Sequence, residues 1–333
     1  DYGYMYVNID DCWMKKRGDQ PYRDSDRAVL TNSKFPNIKG MVDYIHDRGL
    51  RAGTYISPGP WTCAGYVGSY QHEKIDAEQF AEWGFDFLKY DWCSYGNVAT
   101  GEGRDRFTRP YQQMGDILKT LDRDLVLNLC QYGMDKQWEW GARVGGHCWR
   151  TTGDLGLARN QRLPGFYQIG LANAQHWKHA GPGAWNDPDY ILIGWVGSAH
   201  GQTVGHPTSL TGNEQYSYVS MWCLMAAPLV FSGDMAKLDD FTLNVLCNSE
   251  VIDVDQDVLG KQARVIRGDD EDALILAKPM ADGSLAVGLF NLGETPQKIS
   301  VTWKELGLGG RQRVRDLWRQ KDLDVADATY QAT

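Results

Sequence analysis

Up to Gln256-Asp257, short continuous apolar runs alternate with longer segments whose apolar residues recur at helical spacing. Residues 4–9 read as a strand ending in Asp10-Asp11. Residues 37–47 carry Ile38, Met41, Val42 and Ile45 on one helical face, and Gly49 stops the helix. Strand 51–56 opens into a loop rich in Gly and Pro, 57–68, before a helix over 75–83. Strand 85–90 precedes helix 107–121, strand 125–130 and a short helix or turn at 137–142. A weak strand at 147–151 leads to Thr152-Gly153-Asp154. Helix 166–176, a strand-and-loop unit at 183–189, helix 214–227, a buried strand at 229–232 and a last helix from 241 follow. Strand and helix in alternation predict a parallel sheet with helical crossovers. Polar residues collect where the strands end, at Asp11, Tyr55, Asp91, Gln131, Asp154, Asp187 and Ser232. A (β/α)8 TIM barrel gathers such ends on one chemical face. An open doubly wound sheet is the competing architecture, weakened because no G-x-G-x-x-G follows the first strand. Beyond residue 257 helical periodicity gives way to short strands at 263–266, 273–277, 285–290 and 298–301, which predict an antiparallel β-sandwich. The expected division is a catalytic domain over 1–260 and a sandwich domain over 261–333.

Charge and composition narrow the partners. The 333 residues carry a net charge of −9 without a basic cluster, which argues against nucleic acid. The apolar run 221–231 is too short to span a bilayer. Thirteen Trp and seventeen Tyr suit stacking on sugar faces, and they serve equally as core material. The seven Cys form no C-x-x-C pair, and the seven His form no H-E-x-x-H, so neither a zinc knuckle nor a zincin site is expected.

Asp91 ends an apolar run, and Lys89, two residues earlier, shares its strand face. The ammonium should keep the carboxylate ionised, as a nucleophile requires; a strand-end Asp capping its loop is the plain alternative. Asp154 follows Arg150 by four residues in the Gly-bounded segment Thr-Gly-Asp-Leu-Gly, as a mobile acid or as an ordinary turn residue. A glycosidic bond is cleaved by two such carboxyl groups, one ionised and one protonated. The adjacent Asp10 and Asp11 need cations or hydroxyls around them; sugar hydroxyls fit, and a divalent metal is the rival. Cys63 and Cys93 lie in loops after consecutive strands, either as a disulfide clamping two cleft walls or as two buried thiols.

Several of these stretches form a familiar set. Ile-Asp-Asp-Cys-Trp at 9–13, Lys-Tyr-Asp-Trp-Cys at 89–93, Ala-Gly-Pro-Gly-Ala-Trp-Asn-Asp-Pro-Asp at 180–189 and Met-Ala-Ala-Pro-Leu at 225–229 resemble, in order, the α-galactosidases of glycoside hydrolase family twenty-seven. The segment 248–260 continues the likeness. The resemblance implies a (β/α)8 barrel with a C-terminal sandwich and retaining, cofactor-free hydrolysis of terminal α-galactosides. It implies Asp91 as nucleophile and Asp154 as acid/base, and it places Asp10 and Asp11 on the galactose 4- and 6-hydroxyls. Tyr55, Lys89 and a Cys63–Cys93 disulfide line the site, and Arg150 holds the 2-hydroxyl. The two catalytic carboxyls are then expected roughly 5–5.5 Å apart.

Departures from the family pattern refine the expectation. Cys130-Gln131-Tyr132 stands where many relatives have Cys-Glu-Trp; Gln131 can still hydrogen-bond a 2-hydroxyl. Gln131 and Met134 should fill the space that an N-acetylgalactosaminidase opens. Retention of both Asp10 and Asp11 argues against an arabinopyranosidase. A non-catalytic galactose-binding barrel is the alternative outside enzymology. The family's first strand and the sandwich's last strand are expected to be missing from this chain. The absence of any N-x-S/T site points to a bacterial source, and an oxidised Cys63–Cys93 pair to a secreted or periplasmic one. The aglycone depends on loops 59–70 and 194–212, and the oligomeric state is open.

Overall fold

The computed structural model describes residues 2–156, 165–197, 204–270 and 272–333. His200 and part of loop 194–212 lie outside the described residues. The chain forms two compact units, residues 4–153 and residues 154–333, the latter with the short N-terminal segment.

In the first unit, β1 (Tyr6–Asn8), β2 (Arg51–Ile56), β3 (Phe87–Asp91), β4 (Val126–Cys130) and β5 (Cys148–Arg150) pair side by side in chain order, all parallel. Helices α1 (Ile38–His46), α2 (Glu73–Trp83) and α3 (Gly103–Leu118) lie in the connections. The expected helical face of α1 is the buried one: Ile38, Val42 and Ile45 turn inward, and the Asn37 side chain caps the helix by accepting from the Gly40 amide. Gly84, at φ +90°, closes α2 with its N–H on the Ala81 and Phe80 carbonyls, so that the chain reverses into β3. Trp13, Phe80, Phe85, Leu88, Leu127 and Leu129 make the core, with Trp13 and Phe80 edge to face at 6.0 Å. β1 is exposed along its length.

The second unit carries α4 (Phe166–Ala174), β6 (Trp185–Asp187), a two-residue pairing of β7 (Trp195–Val196) with β8 (His206–Pro207), and helices α5 (Gly212–Leu224), α6 (Asp240–Leu246) and α7 (Ser249–Asp255). Thr211 and Glu214 form a capping box that starts α5. Helix α7, capped by Asn248, was not expected. Residues 229–232 are not a buried strand. Phe231 makes a single parallel bridge to Ile191, and Val230 is 37% exposed. Three apolar residues are too few for periodicity to tell a buried strand from a half-covered loop. The antiparallel sheet β11-β10-β9 (Leu285–Asn291, Ala273–Pro279, Arg264–Asp270) follows. β12 (Ile299–Thr302) pairs with β15 (Thr329–Ala332), β13 (Arg315–Asp316) pairs with β14 (Lys321–Asp322), and a one-turn helix α8 (Trp303–Leu306) leaves β12. Ile275, Ala277, Val301 and Trp303 form the sandwich core.

Candidate active site

Parallel register assembles the site. Asp91 is the Cα partner of Cys130, Lys89 that of Tyr55, and Gly53 that of Asn8. The residues at or just past the C-terminal ends of β1 to β4 therefore arrive together: Asp10, Tyr55, Lys89, Asp91 and Tyr132. This is the face on which parallel α/β sheets carry their chemistry.

Asp91 is buried to 5% exposure, and both of its oxygens are held. Oδ1 accepts from the Tyr132 hydroxyl at 2.5 Å and from the Trp92 amide at 2.7 Å; Oδ2 accepts from the Tyr55 hydroxyl at 3.2 Å. Burial pushes this carboxyl above its ordinary value and the charge of Asp10 adds to the rise, while Lys89, Tyr132 and the Trp92 amide pull it down. Desolvation thus outweighs the ammonium in setting the direction of the shift at Asp91. The Lys89 ammonium instead bonds Asp10 Oδ2 at 2.8 Å and lies 5.4 Å from the centre of the Tyr55 ring.

The adjacent carboxylates separate in character. Burial tends to raise Asp10, but the charge and hydrogen bond of Lys89, the Asp11 amide and the charge of Arg150 together hold it below the usual range. Its side chain is nevertheless 63% exposed, so protein crowds it on some sides while water reaches it on another. Asp11 is raised by burial and by the charge of Asp10, against bonds from the Thr62 side chain and the Ala64 and Cys12 amides.

Cys63 and Cys93 form a disulfide, as the resemblance implied. These two and Asp91 also form a group of potential metal-ligand atoms among the described residues. Bonded sulfurs offer no thiolate, so this group is not a metal site. Gln131 is fully buried, and its amide nitrogen donates to the Phe107 carbonyl at 3.0 Å. The neighbouring Tyr132 reaches the Asp91 carboxylate. No periodicity marked it; the register that sets Asp91 beside Cys130 did the placing. Met134 is half-buried in the same turn. Arg150 is buried and donates to the Gly153 and Thr152 carbonyls at 2.7 and 3.3 Å, folding the turn that leads into Asp154. Asp154 itself is half-buried at the start of the second unit. The next amide, of Leu155, donates to Asp189 Oδ2 at 2.9 Å, and the Trp222 indole donates to the Asp189 carbonyl at 2.8 Å.

A parallel α/β sheet with buried and paired carboxylates at its C-terminal edge, followed by a β-sandwich, defines a TIM-barrel-like glycoside hydrolase. Comparison with known proteins sharpens the class. The family described as alpha galactosidase A matches residues 1–257, and the alpha galactosidase C-terminal beta sandwich domain matches residues 270–333. The chain belongs to this family and is a glycoside hydrolase. It is 36% identical over 329 residues to alpha-galactosidase 3 of Arabidopsis thaliana, covering 97% of this chain and 69% of that one. It is 33% identical over 309 residues to alpha-galactosidase A of Cellvibrio japonicus, covering 90% of this chain and 70% of that one. The fold is similar to that of alpha-galactosidase I from Mortierella vinacea, at a TM-score of 0.87, 28% identity, and coverage of 99% of this chain and 85% of that one. Plant, fungal and bacterial proteins stand together among these matches. They support neither the bacterial source nor the missing first barrel unit expected from the sequence.

Proposed function

We propose that this chain is a retaining exo-α-galactosidase working by double displacement, with Asp91 as nucleophile and Asp154 as acid/base. The observation that carries the reading is the environment of Asp91: a strand-tip carboxylate, sequestered from water, with each oxygen held by a hydroxyl. In the first step Asp91 attacks the anomeric carbon. The bond to the aglycone breaks, and its oxygen takes the Asp154 proton. In the second step Asp154 takes a proton from water, the water oxygen bonds to carbon, and Asp91 departs as carboxylate. A carboxyl separation of roughly 5–5.5 Å belongs to this reading.

Asp10 and Asp11 receive the galactose 4- and 6-hydroxyls, and Lys89 keeps Asp10 ionised to accept them. Arg150 serves the 2-hydroxyl, while Gln131 and Met134 fill the space that an N-acetyl group would need. The reading divides the chain into a catalytic domain over 1–260 and a sandwich over 261–333. The Cys63–Cys93 bond supports a secreted or periplasmic setting, since oxidising compartments keep such bonds. No helix among the described residues is long and apolar enough to cross a membrane.

The test is Asp91→Asn in the full-length protein, assayed on aryl glycosides of α-galactose, α-N-acetylgalactosamine and β-L-arabinopyranose. Wild type should turn over the first of these best. The variant should lose at least about a thousandfold in kcat, the scale seen when a covalent nucleophile is removed, while galactose still binds. Unchanged turnover in the variant rules the reading out.

A further inference from the structure

The turn after β4 holds a residue that no strand or helix period marks. Tyr132 sits at φ +59°. Bulky side chains enter that left-handed region only when their surroundings force them, and such outliers gather at working sites. The constraint is visible on both sides. Gln131 is anchored in the interior on the Phe107 carbonyl. Gly133, at φ +78°, passes so close to Thr151 that a Cβ would stand 2.2 Å from its carbonyl oxygen. Between these two fixed points the chain throws the Tyr132 ring back over the tip of β3. Its hydroxyl reaches Asp91 Oδ1 at 2.5 Å and lies 3.5 and 3.4 Å from the sulfurs of Cys63 and Cys93.

We infer that Tyr132 is a positioning residue for the nucleophile: its phenol holds Oδ1 of Asp91 and so commits Oδ2 to the attack. The inference rests on the reading of Asp91 as nucleophile. The two oxygens are unequal. Oδ1 takes two short hydrogen bonds, from Tyr132 and the Trp92 amide, and Oδ2 takes one longer bond from Tyr55. Lone pairs less engaged in hydrogen bonds are freer to attack carbon. Oδ2 then forms the bond to the anomeric carbon as the electron pair of the breaking bond goes to the aglycone oxygen, and Oδ1 becomes the ester carbonyl. When water displaces the ester, Oδ2 leaves with the bonding pair and charge spreads back onto Oδ1. The Tyr132 and Trp92 donors already point there, so they stabilise the charge as it develops. Tyr132 should therefore speed the second step more than the first.

Other groups also face this carboxyl. Lys89 lies on its own strand, Asp10 beyond β1, Tyr55 on β2, Tyr111 on α3 and Cys130 on β4, and Arg150 acts on Asp10. A Tyr132→Phe exchange alters none of their charges and isolates the hydrogen bond.

The experiment compares full-length wild type, Tyr132→Phe, and a protein carrying 3-fluorotyrosine at position 132, on aryl α-galactosides of graded leaving ability. In Tyr132→Phe, kcat should fall roughly tenfold to a hundredfold, the scale of a lost hydrogen bond to a charged acceptor. KM should fall with it as the glycosyl-enzyme accumulates, and kcat should stop responding to the leaving group. The acid limb of kcat/KM should move to higher pH, since a carboxylate that loses a donor is easier to protonate. Fluorotyrosine is a stronger donor and should move the same limb to lower pH; it decides the matter alone if the Phe variant does not fold. An acid limb that stays put in every folded variant, or a fall in kcat with KM unchanged, overturns the inference. If Asp91→Asn is dead while the Tyr132 variants behave as wild type, only this inference fails. If Asp91→Asn is active, the proposed function fails first.

Discussion

Lys89 shares a strand face with Asp91, yet its ammonium bonds the carboxylate of Asp10, just past the end of β1. The side chain is long, and the C-terminal ends of neighbouring parallel strands lie close enough for it to cross β2, passing over Tyr55. One cation thus lowers two carboxyls, Asp10 by direct contact and Asp91 through space. Removing it leaves two acids in one cleft with burial working against the ionised form of each. Lys89→Met should therefore move the acid limb of kcat/KM upward and lower kcat/KM at neutral pH by about tenfold or more, because a carboxylate that binds hydroxyls and one that attacks carbon are both affected. A pH–rate profile of the variant checks this; an acid limb at the wild-type position would show that Lys89 serves neither acid. Sequence spacing made the common strand face legible, and composition made a sugar site plausible. Neither could say which acid the ammonium would choose, because that choice depends on strand order and side-chain reach.

The elements were legible wherever a local signal set their ends. Asn37 capping α1 and Gly84 closing α2 fixed both helices to within a residue or two of their expected bounds, and β2 runs over the residues expected of it. The tip of β3 at Asp91 was visible because an apolar run stops there. What stayed hidden was made by tertiary register. Gln131 and Tyr132 are neighbours in one turn, and only the left-handed backbone at Tyr132 and Gly133 decides which of them enters the cleft and which the interior. The rule of alternating faces ends with the strand at Cys130, so it does not say which way Gln131 and Tyr132 point. The turn can be tested as an element. Gly133→Ala combines a positive φ with a Cβ aimed at the Thr151 backbone carbonyl, an atom that cannot swing aside. A loss of about 2 kcal/mol or more in urea unfolding is expected, together with reduced activity as Tyr132 is displaced. Wild-type stability in that variant would mean that the turn is softer than the contact implies.

At the scale of the whole molecule, carboxyl groups pull the pH dependence of stability in opposite directions. Asp86 is held low despite the opposing effect of burial, by the Ala52 amide, His46 and Arg123. It contributes stability above its unfolded value, and that stability is lost as pH falls through its folded one. Asp76 does the reverse. It is fully buried on α2, neither of its oxygens has a hydrogen-bond partner among the described residues, and burial, with the charge of Glu73 adding, pushes its carboxyl well above the ordinary range. The folded state keeps this proton while the unfolded chain releases it at about pH 4. The contribution of Asp76 is therefore fully present below that pH and is lost as pH rises toward the folded value. Asp76→Asn removes the titration and keeps the shape. The variant should gain on wild type as pH rises from about 4 toward the folded value, while the two should differ least in acid. Chemical denaturation of both proteins across that range measures the gap directly. A gap that does not widen with pH would mean that Asp76 reaches water or a partner in solution, and that the interior beneath β2 and β3 is wetter than its burial implies.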